Sequence, residues 1–391
     1  MNGLRATANR GASRANAARA VSDITLAFLG VSPTDTDHER ARELILRFGW
    51  NATAYQILNP GIELWFAPAG DGVVGFVKHG RVRVVGGAPV CDLSRIEAVA
   101  ADFVADARAR GERVCYFGAG ARLDAALGAT SDWSRVLLGA QPVWDPNRWP
   151  AAVNRRGSLR AQFNRARNKG LVVTEWPSHL AEDHPALRRC LAEWLETRNL
   201  PPLHFMVEPE TLSALRDRRV FVAERSEQQV VGFTILSPVP ARDGWLVEQI
   251  VRGREAPNGT AELLIDFAMR AVAAGGSRYV TLGLSPLSQH APVAAIQHPP
   301  WLRLVLRWVR LHGSRFYNFA GLDAFKAKFN PEAWEPIYAI GQGTRFSPRD
   351  LYAIANAFSG GASIRLVMRA LAKAAQQETA SLFASLRLLH D

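Results

Sequence analysis

The densest chemistry in the chain lies in Arg252 to Leu264, which reads RGREAPNGTAELL. It leaves an apolar strand, turns through Pro257-Asn258-Gly259 and enters an amphipathic helix at Thr260, whose hydroxyl can cap that helix. Exposed N–H groups at such a turn suit an oxyanion or a phosphate, making Asn258, Gly259 and Thr260 candidate substrate-binding residues. An ordinary left-handed turn before a helix would also account for Gly259, so both readings stay open here. A second feature is basic: Arg155, Arg156, Arg160, Arg165, Arg167 and Lys169 occur with no acid from Ala151 to Gly170. Arg156, Arg160 and Arg167 recur at helical spacing, so a helix over Leu159 to Asn168 would present a basic face to an anion. Ser285 follows Gly283-Leu284, but no His and Asp accompany it in the pattern of a serine hydrolase.

The elements that must position these residues are those of a folded α/β chain. Of 391 residues, 48% are hydrophobic and 21% charged, which excludes a wholly disordered or coiled-coil protein and gives length for two domains. Cys91, Cys115 and Cys190 are too few and too scattered for a disulfide framework or a zinc site and fit a reducing compartment. No metal or organic cofactor is expected. The charge is +11, which calls for an anionic partner. Part of it lies in a basic arm over residues 1–30, where Arg5, Arg10, Arg14 and Arg19 precede no apolar signal core. No window reaches 18 uninterrupted apolar residues, so no bilayer-spanning helix is expected. Two further stretches combine a basic stripe with an apolar face. Trp301 to Leu311 reads as a helix packed on the protein's own core, and Ile364 to Ala375 fits a core or an anionic membrane surface equally.

Hydrophobic patterning predicts a helix from Thr36 to Gly49, strands at Ile62 to Ala67 and Gly75 to Val85, a helix over Leu93 to Arg110 and a strand at Val114 to Phe117. The second half repeats the plan. Val220 to Ala223 and Val230 to Leu236 form a hairpin, Trp245 to Val251 a strand, Thr260 to Ala274 a helix and Tyr279 to Leu284 another strand. Asp102-Phe103, Gly111 and Gly118 are echoed by Asp266-Phe267, Gly276 and Gly283, which suggests a duplication. Trp144 to Pro150 reads as a Pro-rich linker at the join. The expected domains are therefore 31–150 and 151–345, followed by a helical amphipathic extension at 346–391.

The order hairpin, strand, glycine turn and helix resembles the GNAT acyltransferase fold, whose turn cradles a coenzyme A pyrophosphate. Here Gly259 is followed by Thr260 and Ala261 rather than by a second glycine pattern, which points to another donor. The resemblance implies an α/β (α+β) class with two tandem GNAT-like domains and mixed, mostly antiparallel sheets. Five motifs then resemble the C-terminal synthase domain of the lysylphosphatidylglycerol synthase family in their order. They are Ala256-Pro257-Asn258-Gly259-Thr260, Gly283-Leu284-Ser285-Pro286-Leu287-Ser288, Arg315 to Leu322, Phe325-Lys326-Ala327-Lys328-Phe329-Asn330-Pro331 and Trp334-Glu335-Pro336-Ile337-Tyr338. The resemblance is closest over roughly residues 150 to 345. It implies transfer of an amino acid, lysine-like, from aminoacyl-tRNA to the glycerol head group of phosphatidylglycerol or a related anionic lipid, a chemistry tied to antimicrobial peptide resistance.

Full-length members of that family carry a multi-helix membrane domain that this sequence does not show, so a separate membrane flippase is an expected partner. Their strand before the PNGT turn carries an Asp closely followed by an Arg, where this chain has Glu248-Gln249 and then Arg252. On this reading Glu248 recognises an ammonium or acts as a base, and Arg252, Lys326 and Lys328 meet lipid phosphate or the tRNA 3′ end. Catalytic candidates are thus Glu248, Arg252, Lys326 and Glu335. Gly283, Ser285, Tyr317, Asn318, Lys328 and Tyr338 join the turn as substrate-binding candidates, while Trp334 and Phe325 read as core. The expected site of action is cytoplasmic, at the inner face of the cell membrane. An acyl-CoA-dependent N-acyltransferase on a small amine, or a non-catalytic binder of tRNA or anionic membrane, are the alternatives.

Overall fold

Two β-α-β units, each closed by left-handed glycines, carry the architecture. The computed structural model describes residues 33–128, 132–197, 203–225, 229–291, 299–304 and 318–359. The strands are β1 (Glu63–Phe66), β2 (Gly72–His79), β3 (Val82–Gly86), β4 (Val90–Cys91), β5 (Arg113–Ala119), β6 (Trp133–Trp144), β7 (Val172–Trp176), β8 (Arg219–Arg225), β9 (Gln229–Val239), β10 (Gly244–Arg252), β11 (Tyr279–Thr281), β12 (Ser285–Pro286) and β13 (Ala333–Gln342). They form one sheet in the order β1-β2-β3-β5-β13-β6-β11-β10-β9-β8-β7, with β4 on β2 and β12 on β6. The helices are α1 (Pro33–Phe48), α2 (Ile96–Ala109), α3 (Ala121–Ala126), α4 (Trp149–Asn154), α5 (Gly157–Asn168), α6 (Ser178–Ala181), α7 (Pro185–Glu196), α8 (Thr260–Ala274), α9 (Phe319–Ala327) and α10 (Pro348–Phe358).

Among the described residues only β3–β5 and β10–β11 pair in parallel, and each pair is joined by a helix, α2 or α8. The duplication read from the sequence is therefore structural, and its register is sharper than the echo suggested. At a constant spacing of 165 positions, Gly111 and Gly276 end the two helices at φ 70° and 81°, and Gly118, near the end of β5, matches Gly283, just past β11, at φ 81° and 72°. Val99, Phe103 and Ala107 of α2 match Leu264, Ala268 and Val272 of α8 at the same spacing, all buried. The Asp-Phe echo does not share this register: Phe103 is buried, whereas Phe267 is exposed and Asp266 is the buried member of its pair.

Three expectations are corrected. The stretch Gly75 to Val85 is two strands, because Gly80 at φ 61° turns β2 back into β3. The supposed linker is core: Trp144 and Trp149 are 2% and 1% exposed, and the Trp149 indole donates to Asp266 at 2.9 Å. The sheet also runs unbroken past residue 150. Strand β13 returns to lie between β5 and β6, and α10 packs on β2 and β3, so segments beyond 330 complete the first half. Strands β6 and β13 carry this crossing; both contain proline and polar positions that hide their period in the sequence. Residues 300–304 are helical with Leu302 buried in the first half's core; the rest of Trp301 to Leu311, the segment Ile364 to Ala375 and the arm 1–30 lie outside the described residues.

Candidate functional site

Parallel strands β10 and β11 pair only from Gly244–Tyr279 to Leu246–Thr281, after which they separate. Strand β10 continues to Arg252, while the chain after Thr281 crosses to β12 on β6. That divergence opens a wedge whose wall consists of the Gly283 and Leu284 carbonyls, which no longer belong to a ladder. Lys326, on α9, fills it: Nζ donates to the Gly283 carbonyl at 2.9 Å and to that of Leu284 at 2.8 Å. The residue is 5% exposed, and burial pulls its amine down to about 7, with Asp323 partly opposing the shift. Such an amine can exchange a proton at neutral pH, which an ordinary lysine does not.

Charged and polar contacts tie α9 to α8 and to the segment that follows β11. Lys328, at the end of α9, pairs with Glu262 in the first turn of α8 at 2.5 Å and sits 4.0 Å over the Phe325 ring. Glu262 is 8% exposed, and its Oε2 has no partner among the described residues. Ser285 Oγ donates to Asp323 Oδ1 at 2.8 Å, and His290 Nε2 lies 3.3 Å from Asp323 Oδ2. The His290 ring stacks on Trp334 with centroids 4.4 Å apart. Lys326, Lys328, Gly283 and Ser285 were foreseen from their motifs. Asp323, His290 and Glu262 were not; the available signal was Asp323 one turn before Lys326 and an acid in the first turn of α8.

Other expected residues lie elsewhere. Glu248 sits at a bulge between Val247 and Gln249. Val247 and Ile250 pack with α8, but Glu248 turns away from that face to Arg218, which donates to it twice, at 2.9 and 3.1 Å. Both side chains are about 5% exposed or less, and Arg218 lies over the Tyr55 ring. Glu248 is therefore a buried ion pair where the two halves meet, not the free carboxylate beside the PNGT turn. Burial lowers the Arg218 pKa, but Glu248 outweighs it and leaves the guanidinium above its ordinary value. Gln249 is likewise structural, bonded to Thr211 and to the Glu208 and Pro209 carbonyls. Glu335 is held by Arg242 at 2.9 and 2.5 Å and by Gln141 at 2.8 Å. Burial raises its pKa, but these donors prevail and hold the carboxyl below its usual range.

Arg252 is exposed at the end of β10. Gly259 stands at φ 97°, and a Cβ there would lie 2.3 Å from the Gln162 carbonyl of α5. Helix α5 thus covers the approach to the turn; Thr260 is buried and its hydroxyl donates to the Pro257 carbonyl, while Asn258 is exposed. Asn318 caps α9 by accepting from the Gly321 N–H at 2.7 Å, a structural use of its side chain. Tyr338 is 5% exposed in the core of the first half, away from the wedge. Tyr317 lies outside the described residues. The basic run does fold as a helix: Arg160, Arg165 and Arg167 lie on α5, Arg156 and Lys169 flank it and Arg155 follows α4, and all six side chains are exposed. Arg167 pairs with Asp266 at 3.3 Å, Arg156 reaches Asn330 and Arg160 folds onto the Val153 and Asn154 carbonyls. Arg155, Arg165 and Lys169 have no partner among the described residues. Among those residues no His, Cys, Asp and Glu group is arranged to hold a metal ion, and no helix is long and apolar enough to cross a membrane.

The duplicated β-α-β units, with a wedge at the second parallel pair, define a protein of tandem GNAT-like acyltransferase architecture. The chain belongs to the phosphatidylglycerol lysyltransferase C-terminal family, whose model matches residues 42–341. It is 24% identical over 312 residues to a phosphatidylglycerol lysyltransferase of Bacillus subtilis (strain 168), covering 77% of this chain and 35% of that protein. The chain therefore spans about a third of the length of that relative. Two solved structures share the fold. The C-terminal domain of a lysylphosphatidylglycerol synthetase from Agrobacterium fabrum aligns with a TM-score of 0.70 at 22% identity, over 83% of this chain and 98% of that one. L-PGS from Bacillus licheniformis aligns with a TM-score of 0.66 at 19% identity, over 80% and 92%.

Proposed function

We propose that this chain is an aminoacyltransferase that moves an amino acid from aminoacyl-tRNA to a glycerol hydroxyl of phosphatidylglycerol or a related anionic lipid, at the inner face of the membrane. The observation that carries the reading is Lys326, a buried amine near neutrality in the wedge of a chain belonging to the lysyltransferase family. Ester exchange needs a group that stabilises the oxyanion and returns a proton to the leaving ribose oxygen, and Lys326 is suited to both. Glu262, whose Oε1 pairs with Lys328 and whose Oε2 has no partner among the described residues, replaces Glu248 as the carboxylate for the donor's ammonium. The exposed cations of α5 supply a docking face for phosphates. A coenzyme A donor is disfavoured because Gln162 of α5 presses on Gly259, where a pyrophosphate would have to lie.

The test is incubation of the purified chain with a charged tRNA pool and phosphatidylglycerol vesicles, followed by lipid mass spectrometry. Aminoacyl-lipid formation, abolished in Lys326→Met, supports the reading. Absence of product across all amino acids overturns it.

A further inference from the structure

Ser285, Asp323, His290 and Trp334 form a constellation whose order differs from that of a hydrolase triad. There the histidine stands between serine and carboxylate; here the carboxylate stands in the middle. Ser285 is fully buried and its hydroxyl donates a hydrogen bond to Asp323 Oδ1, so it is not a nucleophile. Asp323 Oδ2 faces His290 Nε2, and the His290 backbone N–H is held by Ser288 Oγ at 3.2 Å. Trp334 stacks on the ring at an interplanar angle of 21°, which fixes its plane. A carboxylate only accepts, so in the neutral ring this contact favours the hydrogen on Nε2 and leaves Nδ1 as the acceptor. The imidazole is 44% exposed, Asp323 23%, and Asp323 lies one turn before Lys326 on α9.

We propose that His290 Nδ1 is the base that takes the proton from the attacking acceptor hydroxyl, with Ser285, Asp323 and Trp334 as positioning residues. This rests on the transfer reaction proposed above. The hydroxyl oxygen bonds to the aminoacyl carbonyl carbon as its proton passes to Nδ1. Collapse of the tetrahedral adduct then breaks the bond to the ribose oxygen, which receives a proton from Lys326 or from the imidazolium. One ester forms, one breaks and the proton count is unchanged, so no further reactant is needed. The division of labour follows from placement: His290 is exposed enough to meet an incoming hydroxyl, whereas Lys326 is buried within the wedge.

The experiment uses the full chain with charged tRNA and phosphatidylglycerol vesicles, together with ¹⁵N NMR of the histidines. His290→Ala is expected to lower kcat about 100-fold with little change in KM, and added imidazole to restore part of it. Asp323→Asn is expected to lower kcat and to shift His290 from the Nε2–H tautomer to a mixture. A His290→Ala chain with wild-type kcat overturns the proposal, as does an Nδ1–H tautomer that Asp323→Asn leaves unmoved. A wild-type chain that makes no aminoacyl-lipid overturns the transfer reading instead. The tautomer measurement is read without turnover, so the two failures are told apart.

Discussion

Replacing Lys326 by methionine tests the wedge through stability and does not depend on knowing the substrate. In the folded chain burial lowers the lysine from 10.5 to about 7, while in the unfolded chain it returns to the ordinary value. Between those values the unfolded state binds more protons than the folded state, so the group's contribution to stability rises with pH. The whole window is worth roughly 5 kcal/mol at about 1.36 kcal/mol per pH unit. Between about pH 7 and about pH 9 the folded amine goes from half to almost fully neutral, which gives roughly 2 kcal/mol of that rise. Lys326→Met lacks this titration but keeps the stem's volume. Loss of the two carbonyl bonds adds an offset of about 1–3 kcal/mol that does not vary with pH. Urea unfolding of both chains, followed by tryptophan fluorescence at pH 7, 8 and 9, gives the difference directly. The wild type should gain roughly 2 kcal/mol on the variant across this range. A pH-independent difference would refute the argument that Lys326 is a depressed, buried amine.

Other outcomes follow from the geometry. Arg218→Ala leaves Glu248 buried without its guanidinium and should cost about 3–5 kcal/mol in chemical denaturation, whereas Arg218→Met with Glu248→Met should recover most of it. Gly259→Ala combines φ 97° with the 2.3 Å approach of Gln162, and a loss of about 2–3 kcal/mol with a lowered melting temperature is expected. Glutamate at Arg155, Arg165 and Lys169 together should leave the melting temperature unchanged, because these side chains are exposed and have no partner among the described residues. Binding to tRNA should weaken and lose salt dependence, by about 0.9 in the log–log slope for each phosphate contact removed.

Much of the second half was readable because its signals are local. Helix α8 and its glycines follow from apolar spacing and from two positions that need positive φ, and the constant 165-residue spacing recurs because two copies of one unit solve the same packing problem. The motif around Lys326 and Lys328 likewise survives as a string, so both lysines could be named before their surroundings were seen. The chain by itself also determined an excess of cations and put Arg156, Arg160 and Arg167 at helical spacing along one stretch.

Only the tertiary structure decided what the charges meet. Glu248 looked free beside the turn, but a bulge of one residue turned it to the opposite face and onto Arg218, some thirty positions away. Glu335 looked equally available until Arg242 was brought to it from a separate turn. Conversely, Asp323 and His290 carry no signature in order or spacing, and the α9–β12 contact makes them a pair. Strand β13 shows the same limit at the level of the fold: it completes the first half from the far end of the chain. Periodicity reports which residues share a face over a few turns, whereas ion pairs, strand insertions and a depressed lysine depend on which distant face is pressed against it.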